Sequence, residues 1–208
     1  MKLEEQTQIT AKCFAKKTIE ENRVNEHFVK IINSINATAG VCMNSRIIFF
    51  ILSLFLSLTT MFSQVRTYYV QSLCSGLYLD VPGGSTNQGI QIVQWEYLGG
   101  SNQQWNFVPL KDGTYYIQSK KSGMYLDVTG GFKQDGVAII QFPLHGGANQ
   151  RWRLLKQKDG SYCIVSKMTK KYLDMFRENK SNGGKLVQWK GHKGTNQRWN
   201  LIEVRDGM

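Results

Sequence analysis

Cysteine and histidine are scarce in this 208-residue chain, which holds four of the first and three of the second. No cysteines form a C-x-x-C pair and the histidines are scattered, so the spacing predicts neither a metal site nor a disulfide framework. One Cys74–Cys163 bridge is possible, and two unpaired small hydrophobic residues are the alternative. We therefore predict that the protein needs no metal and no cofactor.

Runs of positive charge are also missing, although the formal net charge is +11. Basic residues are scattered singly, and between residues 65 and 110 Arg66 is the only one. This pattern predicts a solvated surface. A patch that faces a polyanion, such as an anionic membrane or an acidic polysaccharide, is the alternative, and no nucleic-acid partner is expected.

The uncharged run at residues 47–62 is short for a membrane-spanning helix. Its length suits the apolar core of a secretory signal, and Met43 is a natural start for one. We predict a signal peptide over residues 43–63 and a secreted protein. The alternatives are an uncleaved anchor that keeps the rest of the chain outside the cytoplasm, and a buried helix of a soluble protein. Residues 1–42 are then upstream sequence or a cytoplasmic tail.

What the chain does contain is one unit repeated three times at an interval of 47 residues. YLD begins at Tyr78, Tyr125 and Tyr172, and NQ-x-W begins 24 residues after each of them. Units this short cannot bury a core alone, so they must share one. Each unit, at about 65–111, 112–158 and 159–205, contains four short apolar runs separated by Gly-rich turns, which predicts an all-β closed barrel capped by hairpins.

The tryptophan of NQ-x-W alternates with a second apolar residue, and a period of two places both on one face of a strand. We predict that these tryptophans fill the shared core and that the neighbouring glutamines hydrogen-bond the backbone of the preceding loop. The residues concerned are Trp105, Trp152 and Trp199, with Gln103, Gln150 and Gln197.

Three further polar or aromatic residues recur in every unit: an aspartate after YL, an aromatic residue 15 positions on, and an asparagine seven positions further. A carboxylate, a flat ring and an amide together suit a pyranose, while the alternative is that each aspartate only caps a turn. The predicted carbohydrate sites are Asp80, Trp95 and Asn102; Asp127, Phe142 and Asn149; and Asp174, Trp189 and Asn196.

An enzyme is not expected. One aspartate per unit, related by threefold symmetry, does not make the paired carboxylates of a glycosidase. His145 and His192 lack an identifiable nucleophile partner, and the segment before the repeats is too short for a catalytic domain.

QW followed by NQQW or NQRW, with YLDV upstream, closely resembles the ricin-type lectin domain, a β-trefoil, over residues 65–203. The resemblance implies that each aspartate binds two sugar hydroxyls, often of galactose or N-acetylgalactosamine. It also implies that the aromatic residue stacks on the ring and that the asparagine bonds another hydroxyl. The function it implies is a non-catalytic, glycan-binding lectin with up to three sites.

The chain departs from that family's pattern at two sets of positions. The cysteines that often staple each unit are replaced by Tyr78 and Tyr97 and their equivalents, so packing must replace the disulfides. A sugar-contacting glutamine is common two residues before the aromatic residue, where this chain has Val93, Ile140 and Val187. Its glutamines Gln94, Gln141 and Gln188 come one residue later, which on a strand turns them to the opposite face.

Two functions of other classes remain open at this point. The first is a protein-binding trefoil that uses its loops, like a protease inhibitor or the targeting part of a toxin. The second is a polyanion-binding module, whose contacts would weaken steeply with salt.

Overall fold

The computed structural model of the protein describes residues 64–205 and, outside that range, only Lys30. The predictions for residues 1–42 and 43–63 therefore lie outside the described residues, apart from Lys30. Among the described residues, no helix is both long and apolar enough to cross a membrane. Lobes 1, 2 and 3 denote residues 65–111, 112–158 and 159–205.

Residues 64–205 form twelve short strands, six single-turn 3-10 helices and no α-helix. The all-β prediction is confirmed for this part of the chain. The strands are β1 (Arg66–Ser72), β2 (Tyr78–Asp80), β3 (Val93–Trp95), β4 (Gln104–Pro109), β5 (Tyr115–Ser119), β6 (Tyr125–Val128), β7 (Ile139–Phe142), β8 (Trp152–Lys156), β9 (Tyr162–Ser166), β10 (Tyr172–Met175), β11 (Leu186–Trp189) and β12 (Trp199–Glu203).

Six of the strands close into a barrel. The antiparallel pairs run β1–β4, β4–β5, β5–β8, β8–β9, β9–β12 and back from β12 to β1. The last pair joins the first strand to the last, with Tyr68 opposite Glu203 and Ser72 opposite Trp199. Closure leaves the six barrel strands without an open edge for another chain to extend.

The other six strands form three hairpins, β2–β3, β6–β7 and β10–β11. Each hairpin belongs to one lobe and is joined to its neighbours by single bridges: Gln91 to Ile140, Val93 to Lys185, and Ala138 to Val187. The hairpins therefore form a triangular cap that ties the three lobes together.

The core lies between the barrel and this cap, and its largest members are Trp105, Trp152 and Trp199, each with no exposed surface. Burying an indole N–H requires a hydrogen-bond partner. Each ring nitrogen donates to the carbonyl of a hairpin leucine, at 3.2 Å to Leu79, 3.1 Å to Leu126 and 3.3 Å to Leu173. The tryptophans thus fill the core and fix the hairpins over it.

The glutamine two residues before each of these tryptophans hydrogen-bonds the backbone of the preceding loop. In lobe 1 Gln103 Nε2 donates to the carbonyl of Glu96 at 2.7 Å, and its Oε1 accepts the N–H of Leu98 at 2.8 Å. Gln150 and Gln197 make the matching pairs of bonds in their own lobes. All three side chains are fully buried, so each loop has at least one backbone N–H and one carbonyl paired with a buried amide.

A second set of glutamines, on the hairpin strands, hydrogen-bonds each lobe to a neighbouring lobe. Gln94 Nε2 donates to the carbonyls of Asn179 and Ser181 in lobe 3, at 2.8 and 3.0 Å. Gln141 bonds lobe 1 in the same way, and Gln188 bonds lobe 2. In each case a hydroxyl of the same lobe donates to the glutamine Oε1, at 2.6 to 2.8 Å.

Aromatic packing occupies the places where the related family often has disulfides. In lobe 1 the rings of Tyr69, Tyr78 and Tyr97 contact one another with centroids 5.1 to 6.2 Å apart. In lobe 3 the ring of Tyr172 covers Gly191 so closely that a Cβ there would lie 2.4 Å from it. The cysteines of the described part, Cys74 and Cys163, are both free.

Candidate carbohydrate-binding sites

The three predicted sets lie at equivalent places on the three hairpins, and we name them sites 1, 2 and 3 after their lobes. In site 1 Asp80 ends β2 and Trp95 ends β3, and the strand register pairs Asp80 with Val93 and Tyr78 with Trp95. Residues two apart on a strand share a face. The carboxylate and the aromatic ring of a site therefore project from one face of its hairpin.

The asparagine reaches this face from the 3-10 turn that precedes the next barrel strand. Its amide donates to the aspartate carboxylate in every lobe: Asn102 to Asp80 at 2.9 Å, Asn149 to Asp127 at 2.8 Å, and Asn196 to Asp174 at 3.0 Å. Each aspartate is only 3% exposed. The structure thus brings the predicted carboxylate and amide together three times.

Burial shapes the electrostatics of these carboxylates. It raises the pKa of Asp80 above its ordinary value, against the opposing effect of hydrogen bonds from Gln103 and Asn102. Burial also raises the pKa of Asp174, where Gln197, His192 and Asn196 oppose it. A buried carboxylate gains from further donors, because each one replaces lost hydration.

Sites 2 and 3 hold a histidine that was not predicted as a site residue. His145 Nε2 lies 2.9 Å from Asp127 Oδ2, and His192 Nε2 lies 3.6 Å from Asp174 Oδ2. The Nδ1 atom of each ring accepts a backbone N–H, from Gly147 and Gly194 respectively. With Nδ1 accepting this bond, the Nε2 atom of each ring faces the carboxylate.

The repeat spacing carried the signal for these histidines. Both stand three residues after the aromatic residue of their site, and the equivalent residue in lobe 1 is Leu98. Their partner is the aspartate predicted for the same site, and not a catalytic nucleophile. Asp127 has both oxygens engaged, since Asn149 binds Oδ1 and His145 lies at Oδ2.

The aromatic side chains of the three sites differ in how close they come to the neighbouring lobe. Trp189 of site 3 extends to Gly136 of lobe 2, where a Cβ would lie 3.4 Å from its ring, and Trp95 extends similarly to Gly183 of lobe 3. At Phe142 the matching glycine, Gly89, has nothing within 4 Å of a Cβ. Sites 1 and 3 are therefore each bordered by a neighbouring lobe, and the phenyl ring of site 2 stops short.

Other groups near the hairpins do not join the sites. Gln94, Gln141 and Gln188 are fully buried and bond the neighbouring lobe, so their amides face away from the carboxylates. Within residues 64–205 no three His, Cys, Asp or Glu side chains are grouped in a way that could hold a metal ion. Chemically, each site offers acceptors, an amide and a flat apolar surface, which can bind a polyhydroxylated ring.

A closed six-stranded barrel with three capping hairpins and threefold sequence repetition defines a β-trefoil. Residues 59–142 and 148–208 match the ricin-type beta-trefoil lectin domain-like family. The chain belongs to that family, which confirms the resemblance seen in its QxW motifs. No curated protein sequence matches the chain.

Solved structures agree with this assignment. The designed threefold-symmetric protein ThreeFoil is 38% identical, with a TM-score of 0.66 over 66% of this chain and 99% of that one. The exo-β-1,3-galactanase 1,3Gal43A of Clostridium thermocellum is 39% identical, with a TM-score of 0.65 over 67% of this chain. The match spans only 30% of the galactanase chain.

More distant lectins share the fold. The ricin B-like lectin of Macrolepiota procera, solved in complex with lactose, is 22% identical with a TM-score of 0.58, over 67% of this chain and 96% of that one.

Proposed function

We propose that this protein is a secreted, non-catalytic lectin that binds glycans at up to three sites. The observation that carries the proposal is the buried aspartate–asparagine pair, which recurs in all three lobes at 2.8 to 3.0 Å beside an aromatic residue on the same hairpin face. Turn capping alone does not require a neighbouring aromatic ring at each of the three places.

The chemistry of each site fits a pyranose. Sugar hydroxyls can donate to the carboxylate oxygens, and in sites 1 and 3 the second N–H of the asparagine amide can donate to a hydroxyl oxygen. In site 2 the Asn149 amide already donates to both Asp127 and the carbonyl of Val128. The aromatic ring accepts the C–H face of the sugar. The bonds to a charged acceptor are the stronger ones and set the orientation of the ligand.

The relatives support a saccharide ligand. The earthworm R-type lectin was solved in complex with GalNAc, and the Polyporus squamosus lectin was solved bound to a sialylated Gal-GlcNAc epitope. We propose that this chain binds a galactose-type sugar or another pyranoside. The ligand is not restricted to galactose, because Val93 and its equivalents offer no amide at the place of the common sugar-contacting glutamine.

The three sites should differ in strength. Trp95 and Trp189 give sites 1 and 3 a larger stacking surface than Phe142 gives site 2. A shallow single site binds with a dissociation constant of about 1 mM, so several sites must engage one branched or clustered glycan to retain it.

A glycan array with the full-length protein tests the proposal, followed by competition with free sugar. Asp80, Asp127 and Asp174 are then replaced by alanine, singly and together. We expect binding to fall stepwise while each single variant still unfolds cooperatively, with a melting temperature lower by a few degrees because about one buried hydrogen bond is lost. Glu203→Ala, at an exposed carboxylate on the barrel, is the control and should leave binding unchanged.

Two results would contradict the proposal. The first is binding that no sugar competes for, or that survives deglycosylation of the target, which would indicate a protein partner. The second is unfolding of the single Asp→Ala variants, which would make the aspartates turn-capping residues.

A further inference from the structure

Lobe 3 differs from the other lobes at four turn positions. Lys170, Arg177, Glu178 and Lys193 have left-handed backbone conformations, with φ between 53° and 60°. The equivalent residues are all glycines with positive φ. They are Gly76, Gly83, Gly84 and Gly99 in lobe 1, and Gly123, Gly130, Gly131 and Gly146 in lobe 2. The fold therefore demands this conformation, and lobe 3 meets it with charged side chains.

Glycine adopts positive φ without steric conflict, whereas lysine, arginine and glutamate are strained there. Strained residues cluster at functional sites, so one that lies beside a candidate site is a candidate for contacting the ligand. Two of the four residues, Arg177 and Glu178, lie in the turn that follows Asp174 of site 3 by only two residues.

Arg177 is positioned along the aromatic rim of site 3. Its guanidinium carbon lies 5.0 Å above the centroid of the Phe176 ring. The Phe176 ring in turn lies 6.2 Å from that of Trp189, the stacking residue of the site. The cation, the phenyl ring and the indole therefore form one continuous row.

The guanidinium is exposed, and no acidic side chain pairs with it within residues 64–205. Its contact with the Phe176 ring places the guanidinium beside the site, and its exposure leaves its N–H groups accessible to a ligand. An ordered guanidinium with unpaired donors binds carboxylate or sulfate groups with two parallel hydrogen bonds.

The residue that follows the aromatic residue is also basic in site 3 and in neither of the other sites. The residue after the aromatic is Glu96 in site 1, Pro143 in site 2 and Lys190 in site 3. Glu178 is the acidic neighbour of Arg177 in the same turn, and it provides a matched control for Arg177.

We infer that site 3 is specialised for a saccharide that carries an anionic group, a carboxylate or a sulfate, and that Arg177 is the residue that recognises this group. Site 1 then takes neutral saccharides. This inference rests on the proposed lectin function and names the ligand class of one of its sites.

Arg177→Gly and Glu178→Gly test the inference, because each restores the glycine of the other lobes. Full-length protein is titrated with lactose, sialylated lactose and sulfated lactose. Arg177→Gly should weaken binding of the anionic sugars about tenfold, the effect of losing one charge-assisted pair, and leave lactose unchanged. Glu178→Gly should leave binding of the anionic sugars equal or tighter. Both variants should melt about 3 °C higher, because the strain is removed.

Lys170→Gly is the control for net charge, since it removes one positive charge and one strained residue in the turn before β10. It should leave all three affinities unchanged. The sialylated and sulfated arms distinguish a carboxylate from a sulfate preference.

Equal losses in Lys170→Gly and Arg177→Gly would overturn the inference, because they indicate nonspecific attraction of anions. An unchanged affinity of Arg177→Gly for both anionic sugars would overturn it too. The lectin function would still stand in that case, provided that lactose binding depends on Asp174. Absence of any sugar binding would instead overturn the proposed function itself.

Discussion

Replacing Gln188 by methionine should destabilise the trefoil without weakening its sites. The side chain is fully buried. Its amide donates to the carbonyls of Phe132 and Gln134 in lobe 2, at 2.7 and 2.9 Å, and its Oε1 accepts the hydroxyl of Thr169 at 2.7 Å. Methionine has a similar length but replaces none of these bonds.

The magnitude follows from the three lost bonds. Each buried hydrogen bond contributes about 1 kcal/mol net, and orphaned buried partners cost at least as much. The free energy of unfolding should therefore fall by about 3 kcal/mol. For a domain of about 150 residues this corresponds to a drop in melting temperature of roughly 10 °C.

Thermal and urea unfolding measure the change, and sugar titration well below the melting temperature measures the site. Gln134→Met is the matched control, because this exposed side chain lies on the receiving loop and contributes only its carbonyl. It should shift the free energy of unfolding by less than about 0.5 kcal/mol. A Gln188→Met variant with unchanged stability and lost sugar binding would refute the reasoning and make the glutamine a ligand residue.

Three further predictions concern the sites and the packing that supports them. Because burial raises the pKa of Asp80 and Asp174, these groups protonate at a higher pH than free aspartate. Calorimetric sugar titrations from neutral pH downward should therefore show the affinity falling at a pH where free aspartate is still charged. Protonation of these two groups itself favours the folded state. Phe142→Trp should tighten site 2 several-fold in single-site sugar titrations by extending its stacking surface, and an unchanged affinity would argue against stacking there. Gly191→Ala should lower the melting temperature, since a Cβ would lie 2.4 Å from the Tyr172 ring; an unchanged value would mean that the ring moves aside freely.

Much of this architecture is predictable from the chain because the repeat is exact in spacing. A common interval of 47 residues places each Trp of NQ-x-W in an equivalent strand, and period-two alternation turns it inward. The same spacing places Asp80, Trp95 and Asn102 together, since each residue stands at a fixed offset from a strand end.

What sequence reasoning missed depends on contacts between parts of the chain far apart in sequence. Gln94 bonds backbone carbonyls 85 and 87 residues away, and no local pattern identifies those partners. The position of His145 is set by a carboxylate 18 residues away, on strand β6. The strain at Arg177 is visible only when its backbone is compared with that of Gly83 and Gly130.

Binding of the full-length protein to a glycan array, before and after replacing Asp80, Asp127 and Asp174 together by alanine, tests the central claim most directly. We expect sugar-competable binding by the unaltered protein and its loss in a triple variant that still unfolds cooperatively. Equal glycan binding by the folded triple variant would contradict it.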